Sequence, residues 1–376
     1  MSRQFEFITE SARQSTPDSS LTNRFLNRGN AFTFAEVAAS VTEVCDTRLM
    51  SGYDFIGDVH GNAEKLEGLL RLLDYLEEGG VFGHQDRQAI FVGDLIDRGE
   101  ENLRVVDVVR AMVDAGTAQV VMGNHEFNAI AYALDNPDKP GDGVRPREGK
   151  NREQHKNFLR EIEHREDKYA EVIAWFKTLP FWLNLEGGIG VVHACWHEPS
   201  MDVVRIALAE SSAPDDSFFV RAATEGNELY DAMEVLLKGP ELELIRFGLP
   251  DFLDSSGHRR TKARIKWWVR NATTLDQLLE FGEEPRQADG SSYPPTDGEL
   301  AERIEHEYEY HALQPVFFGH YWRTGDPTEL VDWNERAACV DFSAGRGGRL
   351  VAYQWNGEVK LTGTNFVAYP KEHGRP

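Results

Sequence analysis

Three short apolar segments in the first third of the chain each end in a glycine that is followed at once by polar residues. The motifs at these points are GDVHG at 57–61, GDLIDRG at 93–99 and GNHE at 123–126. Apolar runs of this length that stop at a glycine are typical of buried strands. Because the carboxyl ends of neighbouring strands meet at one edge of an α/β sheet, the three motifs are predicted to surround a single crevice.

Amphipathic helices separate these strands. Residues Asn62–Glu78 carry leucines at helical spacing, and Leu103–Val113 repeat the pattern. The resulting β-α-β-α-β order predicts an α/β fold. The predicted strands are Tyr53–Gly57, Gln88–Gly93, Ala118–Gly123, Ile189–His193, Val316–Gly319, Ala337–Phe342, Leu350–Trp355 and Val359–Thr362.

Two regions do not follow this pattern. Residues 1–50 are rich in Ser, Thr and Asn, and they predict an N-terminal extension with some helix near Phe34–Val44 that packs against the main domain, 51–376. Within that domain the segment 200–314 is mostly helical in character and contains a Pro/Gly/Ser loop at 285–298. The segment is therefore the candidate for an inserted cap.

The charge of the chain excludes some classes of partner. Lysine and arginine total 40 against 63 acidic residues, which gives a formal net charge of −23. Such a protein repels nucleic acid and anionic membranes, so neither is expected as a partner. Three widely spaced cysteines, the lack of any run of 18 apolar residues and a start without a basic and apolar leader predict a cytoplasmic protein.

The residue types in the motifs suit a transition-metal site. Asp58 and His60 stand two apart on a predicted tight turn, so both can reach the same ion. His193 ends one apolar strand and His320 follows another, which adds two imidazoles. Mixed carboxylate, amide and imidazole ligands favour Mn²⁺, Fe or Zn²⁺ over Ca²⁺. Two such ions about 3.5 Å apart would orient a phosphate and activate a water molecule.

Each motif also has a structural explanation when it is taken alone. An aspartate after a strand is often the N-cap of the next helix, an Asn-His pair can form a turn, and a single histidine often packs in a core. Three such motifs in this order, each after a predicted strand, favour the metal site instead.

The motifs, the histidine that ends a strand and a later Gly-His pair resemble the signature of the calcineurin-like metallophosphoesterases. They are most similar to the branch that contains phosphoprotein phosphatases and bacterial diadenosine tetraphosphatases. The resemblance runs from Gly57 to His320 and extends to VDFSAG at 340–345 and GGRL at 347–350. It implies a two-sheet α/β sandwich flanked by helices, with 200–314 as a largely helical insertion.

The resemblance also implies a role for each residue of the site. The implied metal ligands are Asp58, His60 and a bridging Asp94 for the first ion, and Asp94, Asn124, His193 and His320 for the second. The implied catalytic residues are Arg98, which binds phosphate, His125, the general acid, and Asp97, which orients His125. Mn²⁺ is the expected metal, with Fe or Zn²⁺ as alternatives.

These residues predict a dinuclear metal-dependent phosphoesterase in which a metal-bridging hydroxide attacks phosphorus directly. A phosphoprotein or a small phosphomonoester is the favoured substrate, because one arginine and two metals grip a terminal phosphate well. A dinucleoside polyphosphate hydrolase is the alternative, and a non-catalytic binding module on the same fold is a further one. The sequence does not identify the physiological substrate, the native metal or the oligomeric state.

The chain departs from the family pattern at two points. His193 is followed by Ala194 and Cys195, where relatives have two glycines or Ala-Gly, so the larger side chain is expected to alter this loop. A second phosphate-binding arginine cannot be aligned. The candidates for it are Arg205, Arg259, Arg260 and Arg264.

The net charge of −23 also bears on substrate binding. Anionic substrates are expected to be drawn to the site only by the metals and Arg98.

Overall fold

The computed structural model describes six stretches of the chain, all within the unit Leu49–Pro376. These stretches are residues 52–209, 214–254, 257–281, 285–298, 307–329 and 334–370. The predicted extension at 1–50 and its helix near Phe34–Val44 lie outside them.

Seventeen strands occur in these stretches, and nine of them build two large sheets. In chain order they are β1 Gly52–Ile56, β2 Leu76–Glu78, β3 Val81–Gly83, β4 Arg87–Phe91, β5 Ala118–Val120, β6 Trp182–Leu185, β7 Ile189–Val192, β8 Glu241–Glu243, β9 Phe252–Leu253, β10 Arg259–Arg260, β11 Lys262–Ile265, β12 Leu279–Glu280, β13 Arg286–Gln287, β14 Val316–Phe318, β15 Ala337–Cys339, β16 Leu350–Trp355 and β17 Phe366–Tyr369.

Helices connect and cover these strands. In the described stretches they are α1 Ala63–Leu72, α2 Asn102–Asp114, α3 Asn124–Ala133, α4 Gly149–Ile162, α5 Glu166–Phe176, α6 Glu198–Ala209, α7 Asp216–Ala222, α8 Glu228–Lys238 and α9 Leu275–Leu278. Short 3₁₀ helices occur at Leu244–Phe247, Pro327–Glu329, Ala344–Arg346 and Gly363–Asn365. No helix in the described residues has the length and apolar character that a membrane span requires.

The two large sheets pack face to face. The first has the strand order β17-β16-β1-β4-β5, with β1, β4 and β5 parallel, and the second has the order β15-β14-β7-β6. Phe55 of the first sheet stacks on Phe317 of the second, with ring centroids 3.7 Å apart, and Tyr353 lies 4.9 Å from the same Phe317 ring. This shared apolar layer confirms the predicted two-sheet sandwich.

The outer faces of both sheets are covered. On the first sheet, Leu66 and Leu69 of α1 are fully buried in the cluster that contains Phe91. On the second sheet, Trp267 and Trp268 pack on Phe318 at ring distances of 4.8 and 4.9 Å. The carboxyl ends of β1, β4, β5, β7 and β14 are therefore left at one edge of the sandwich, where the polar motifs follow.

Two predicted elements are wrong, one at its boundary and one altogether. The helix predicted to reach Glu78 ends at Leu72, because Asp74 takes a left-handed conformation (φ 64°) and the chain turns into β2. The strand predicted at Val359–Thr362 is absent, and the closing strand of the described chain is β17, which pairs with β16. The buried ring of Phe366 supplies the apolar anchor for β17.

The segment 200–314 is helical only in its first part. Helices α6 to α8 extend to Lys238, and the described residues beyond it form short strands from β8 to β13 with one short helix, α9. These strands enclose a small separate core that includes Leu244, Phe252 and Ile265. The idea that the segment acts as a cap stays a prediction.

Candidate metal centre

The loops that carry the motifs have a strained backbone. Five of the predicted site residues adopt positive φ angles; they are His60 (49°), Asp94 (51°), Asp97 (72°), Arg98 (67°) and His320 (68°). Such a conformation costs roughly 1–3 kcal/mol for each non-glycine residue and persists only where the surroundings enforce it. The clustering of these angles at one edge of the sandwich is typical of a functional site.

Direct contacts between the loops enforce this conformation. The backbone N–H groups of Val59 and His60 both donate to the carbonyl of Asp94, at 3.1 and 2.9 Å. Gly93 has a φ of 101°, and a Cβ added there would lie 2.6 Å from the Cα of Gly123. The second and third motifs can approach this closely only because glycine stands at both positions.

Glu126 ties the second and third motifs together from beneath. Its side chain is completely buried, and it stands three residues after Gly123 in the first turn of α3. Burial raises the pKa of Glu126 to about 7, helped by Asp94, while backbone donors favour its carboxylate form. Its oxygens accept from the backbone N–H groups of Asp94 (2.9 Å), Leu95 (2.8 Å), Ile96 (3.4 Å) and Gly123 (3.0 Å).

Replacing Glu126 by alanine is expected to lower the free energy of unfolding by about 3 kcal/mol or more, because several buried N–H groups lose their acceptor. The measurement is urea-induced unfolding of the metal-stripped protein, so that loss of metal binding does not contribute. Glu153→Ala, on the exposed face of α4, serves as the control and is expected to change stability by less than about 1 kcal/mol. Similar losses in both variants would contradict the role assigned to Glu126.

Asp94 lies at the centre of the site. Its Oδ2 is 3.6 Å from Nε2 of His60, and its Oδ1 is 3.4 Å from Nε2 of His193. Two clusters of ligand atoms, each within 4.8 Å, share this carboxylate among the described residues. The first is His60, Asp94 and His125, and the second is Asp94, His193 and His320. One carboxylate between two imidazole groups is the arrangement that a pair of bridged ions requires.

Backbone carbonyls orient two of the imidazoles. His60 donates from Nδ1 to the carbonyl of Ile96 at 2.9 Å, and His193 donates from Nδ1 to the carbonyl of Val92 at 2.8 Å. Each ring therefore turns its Nε2 lone pair towards Asp94. Nε2 of His193 also lies 3.0 Å from the amide oxygen of Asn124. The Nδ1 hydrogen bonds to the two carbonyls select the tautomer that leaves Nε2 free to bind a metal.

Several polar atoms of the site are buried and have no hydrogen-bond partner in the described structure. They are Oδ1 of Asp58, Nε2 of His60 and both ring nitrogens of His320. A buried polar group without a partner costs about 1–3 kcal/mol, so a cluster of them calls for a missing ligand. One carboxylate oxygen and neutral imidazole nitrogens are the donor set of a transition metal. The residues therefore fit a metal centre.

The protonation states also suit metal binding. Burial lowers the pKa of His60 to about 3 and that of His320 well below its usual value, so both rings are neutral. Burial opposes ionisation of Asp94, but the imidazoles of His193 and His125 outweigh it and lower the pKa of Asp94 to about 2. Neutral imidazoles beside an ionised carboxylate can bind cations without first releasing a proton.

His125 belongs to a chain of three buried side chains. Its Nδ1 lies 2.5 Å from Oδ2 of Asp97, and the other oxygen of Asp97 lies 2.6 Å from Nδ1 of His155 on α4. Burial opposes charge on His125, but Asp94 and Asp97 raise its pKa. The two imidazoles together lower the pKa of Asp97 despite its burial. The arrangement holds His125 with its Nε2 directed away from Asp97.

The structure brings the predicted residues together, with one difference in grouping. Asp58 lies just outside the two clusters in the described residues, where its Oδ2 accepts from the backbone N–H of His320 at 3.2 Å. Burial and the adjacent Asp341 raise the pKa of Asp58. His125 takes the third place in the first cluster, although the sequence predicts it to be an acid and not a ligand.

No role was assigned to Glu126, His155 or Trp322 from the sequence. Glu126 could have been found, because a Glu three residues after a helix N-cap is the pattern of a capping box. His155 lies 58 positions from its partner Asp97 and carries no local signal. Trp322, two residues after His320, is likewise distinguished only by the side chains that surround it.

A basic cleft of about 860 Å³ opens over the centre. Of its described lining residues, eight are Lys or Arg and four are Asp or Glu. The basic ones are Arg98, Arg145, Lys150, Lys238, Arg260, Lys262, Arg264 and Arg346. The expectation that Arg98 is the only side chain attracting an anion is therefore wrong, because the fold gathers scattered basic residues at the site of a chain that is acidic elsewhere.

Three guanidinium groups surround the indole ring of Trp322. The distances from their central carbons to the ring are 3.8 Å for Arg346, 5.0 Å for Arg98 and 5.4 Å for Arg264. Cations at such distances are attracted to the face of an indole, which offsets part of their mutual repulsion. All three arginines also line the cleft. The cluster places three positive charges around Trp322, two residues after His320.

The candidates for a second phosphate-binding arginine divide into two groups. Arg260 and Arg264 line the cleft. Arg205 instead pairs with Glu198 and Asp202 on α6, and Arg259 pairs with Asp251. The structure adds Arg346, which sequence reasoning did not consider.

Cys195 does not reach the centre. Its side chain is fully buried, and burial raises the pKa of its thiol well above the usual value. The N–H groups of Ala194 and Cys195 both donate to the carbonyl of Leu236 on α8. Backbone groups thus dock the loop after β7 on α8, and the Cys195 side chain packs in the apolar cluster that contains Trp196.

The sequence matches the family model described as calcineurin-like phosphoesterase over residues 53–321. An asymmetrical bis(5'-nucleosyl)-tetraphosphatase of Oceanobacillus iheyensis is 32% identical over 143 residues, which are 38% of this chain and 55% of that protein. A symmetrical bis(5'-nucleosyl)-tetraphosphatase of Methylococcus capsulatus is 30% identical over 139 residues, 37% of this chain and 41% of that protein. The chain thus spans about half or less of the length of these curated relatives.

Among solved structures, a protein serine/threonine phosphatase from Saccharomyces cerevisiae covers 86% of this chain and 80% of its own. It is 14% identical, with a TM-score of 0.43.

Proposed function

The chain belongs to the calcineurin-like phosphoesterases, and from that premise we propose that it is a hydrolase that uses two metal ions to cleave dinucleoside polyphosphates. The observation that supports this substrate is the group of three guanidinium ions around Trp322. A single terminal phosphate is held well by one arginine and the metals, whereas a chain of phosphates can use all three arginines. The tetraphosphatases of O. iheyensis and M. capsulatus, similar over part of their length, point in the same direction.

Six residues would hold the two ions. They are Asp58, His60 and the bridging Asp94 for the first, and Asp94, Asn124, His193 and His320 for the second. The buried atoms without partners on Asp58, His60 and His320 support this assignment. When bound, the ions would supply positive charge to the phosphoryl oxygens and a nucleophilic water at neutral pH.

Three side chains of the protein would act on the substrate directly or through a neighbour. Arg98 lines the cleft and would bind the phosphoryl group under attack. His125 would hold a proton at Nε2 and pass it to the leaving oxygen, since Asp97 occupies Nδ1 at 2.5 Å. Asp97 would keep the ring oriented and charged, and it is itself held by His155.

The test of this function is a substrate comparison with purified, Mn²⁺-loaded protein. The substrates are diadenosine tetraphosphate, p-nitrophenyl phosphate and a phosphoserine peptide. The proposal expects the highest kcat/KM for the dinucleotide. Turnover of none of the three would contradict the enzymatic assignment and leave the non-catalytic binding module as the explanation.

Hydrolysis of phosphomonoesters is the second candidate function. It is favoured by the two clusters of candidate metal ligands that meet at Asp94, because two adjacent ions can hold a single terminal phosphate. A kcat/KM for the phosphopeptide that exceeds the value for diadenosine tetraphosphate would support this function over the first.

The arginine cluster makes a quantitative prediction. Arg346→Gln is expected to raise the KM for diadenosine tetraphosphate by about tenfold or more, because a charged hydrogen bond contributes about 1.5–3 kcal/mol. The increase for p-nitrophenyl phosphate is expected to be much smaller, since that substrate carries a single phosphate. Steady-state kinetics on both substrates provide the measurement.

Arg205→Gln is the matched control for this prediction. Arg205 pairs with acidic residues on α6 and is absent from the described lining of the cleft. Its loss is expected to leave both KM values within about twofold of the original. Equal increases for both substrates in Arg346→Gln would show that Arg346 does not distinguish a phosphate chain from a single phosphate.

A further inference from the structure

A second cavity adjoins the basic cleft. Its volume is about 460 Å³, within the range of about 300–1,000 Å³ that is usual for small-molecule sites. It is built mainly by the short strands between Glu241 and Arg286, together with the two residues that follow His320. We propose that this cavity is the subsite for one nucleoside of the substrate, an inference that rests on the dinucleoside polyphosphate hydrolase proposed above.

Aromatic side chains form part of the cavity wall. Phe252, Phe281, Tyr321 and Trp322 all contribute to its lining. The rings of Phe252 and Phe281 pack edge to face, with centroids 5.7 Å apart and planes at 72°. Phe281 is only half-buried, so part of its ring is available to a ligand. A nucleobase can stack on such a ring, because every base has an aromatic face.

Charged side chains line the cavity beside the rings. Seven of the fourteen described lining residues are Asp, Glu, Lys or Arg. Among them, Glu280 accepts a hydrogen bond from Arg323 at 2.9 Å, and Arg286 lies in the same lining. A nucleobase presents hydrogen-bond donors and acceptors on its edges and an apolar face on each side. A cavity with aromatic rings and charged groups in its walls matches that combination.

Six residues lie where the two cavities meet and line both of them, among them three basic side chains and two acidic ones. They are Glu241, Asp254, Arg260, Lys262, Arg264 and Trp322. Arg260 pairs with Asp254, which leaves Arg264 beside Trp322 as the group placed to hold a phosphate. A polyphosphate that begins at the ligand cluster and passes Arg264 would therefore carry its nucleoside into the aromatic cavity. This continuity selects a nucleoside attached to phosphates as the occupant over an unrelated hydrophobic molecule.

The test uses the full chain loaded with Mn²⁺ and compares diadenosine tetraphosphate with inorganic tripolyphosphate, which has a phosphate chain but no nucleoside. Phe281→Ala is expected to raise the KM for the dinucleotide about tenfold, since stacking of a base on an aromatic ring contributes roughly 5- to 150-fold in affinity. The KM for tripolyphosphate is expected to stay within about twofold. Phe281→Tyr, which keeps the ring, is expected to restore the KM for the dinucleotide.

Phe247→Ala is the matched control. Phe247 is a half-buried phenylalanine that packs on the same small core but does not contribute to the described lining of the cavity. It is expected to lose a similar amount of stability and to keep both KM values. A rise in the KM for the dinucleotide in Phe247→Ala equal to that in Phe281→Ala would overturn the subsite.

The remaining outcomes separate the subsite from the function on which it rests. If the original protein hydrolyses diadenosine tetraphosphate and Phe281→Ala does not change its KM, the subsite is wrong and the proposed function stands. If the original protein hydrolyses neither polyphosphate, the proposed function is wrong, and the subsite that rests on it is wrong as well. A Phe281→Ala effect confined to phosphopeptides would assign the cavity to a peptide side chain and would also overturn the proposal.

Discussion

Asp94→Asn is expected to lose metal and activity together. The carboxylate lies 3.4 Å from Nε2 of His193 and 3.6 Å from Nε2 of His60, so it is the one anionic group that both described clusters share. An asparagine at this position removes the negative charge and one ligand oxygen. Because metal ions contribute several kcal/mol to the transition state, kcat is expected to fall by about three orders of magnitude or more.

Metal content per chain and hydrolysis of p-nitrophenyl phosphate, measured on the same preparation, check this expectation. Asp167→Asn, an exposed substitution in the first turn of α5, controls for the change of residue type and is expected to keep two ions. His193→Ala and His320→Ala are expected to weaken only the second ion. Stoichiometric binding of two ions by Asp94→Asn would exclude a bridging role for Asp94.

His125→Ala is expected to slow the hydrolysis of phosphoserine by about 10²–10⁴-fold, the contribution of a well-placed general acid. An alkoxide that leaves phosphorus has a high pKa and needs a proton in the transition state. A p-nitrophenolate hardly needs one, so p-nitrophenyl phosphate is expected to be affected far less. The contact of 2.5 Å between Nδ1 of His125 and Asp97 leaves only Nε2 for this task.

The same variant decides between the two roles that the geometry allows His125. Its Nε2 lies 3.8 Å from Oδ2 of Asp94 and belongs to the first ligand cluster. An acid can be removed with both ions retained, whereas a ligand cannot. Loss of one ion from His125→Ala, with equal damage to both substrates, would show that His125 binds metal. Asp97→Asn is also expected to slow phosphoserine hydrolysis more than p-nitrophenyl phosphate hydrolysis, but by a smaller factor than His125→Ala.

The parts of the fold that follow from local pattern could be predicted. The strands before the three motifs and the amphipathic character of α1 and α2 arise from the spacing of apolar residues within short windows. The end of α1 could not, because a single left-handed residue, Asp74, starts a hairpin that the run of leucines does not reveal. The short strands from β8 to β13 could not be predicted either, because strands of two to four residues contain too few positions to show a period.

The sequence by itself determined which candidate ligands to expect at the site. The spacing of Asp58, His60, Asp94, Asn124 and the two later histidines on strand ends was enough to predict a convergent ligand set, because the edge of a parallel sheet is where such residues meet. Only the tertiary structure decided which side chains join them. His155 reaches Asp97 across 58 positions. Arg264 on β11 and Arg346 in the 3₁₀ helix Ala344–Arg346 come within 5.4 and 3.8 Å of the ring of Trp322.

These partnerships have no sequence signal because they depend on the packing of distant segments and not on local periodicity. The basic cleft has the same origin. A net charge of −23 describes the whole chain, but an electrostatic field depends on where each charge lies, and the fold places eight basic residues around one centre. The candidate ligands could be predicted because they lie on predictable strand ends. The groups that select its substrate required the folded molecule.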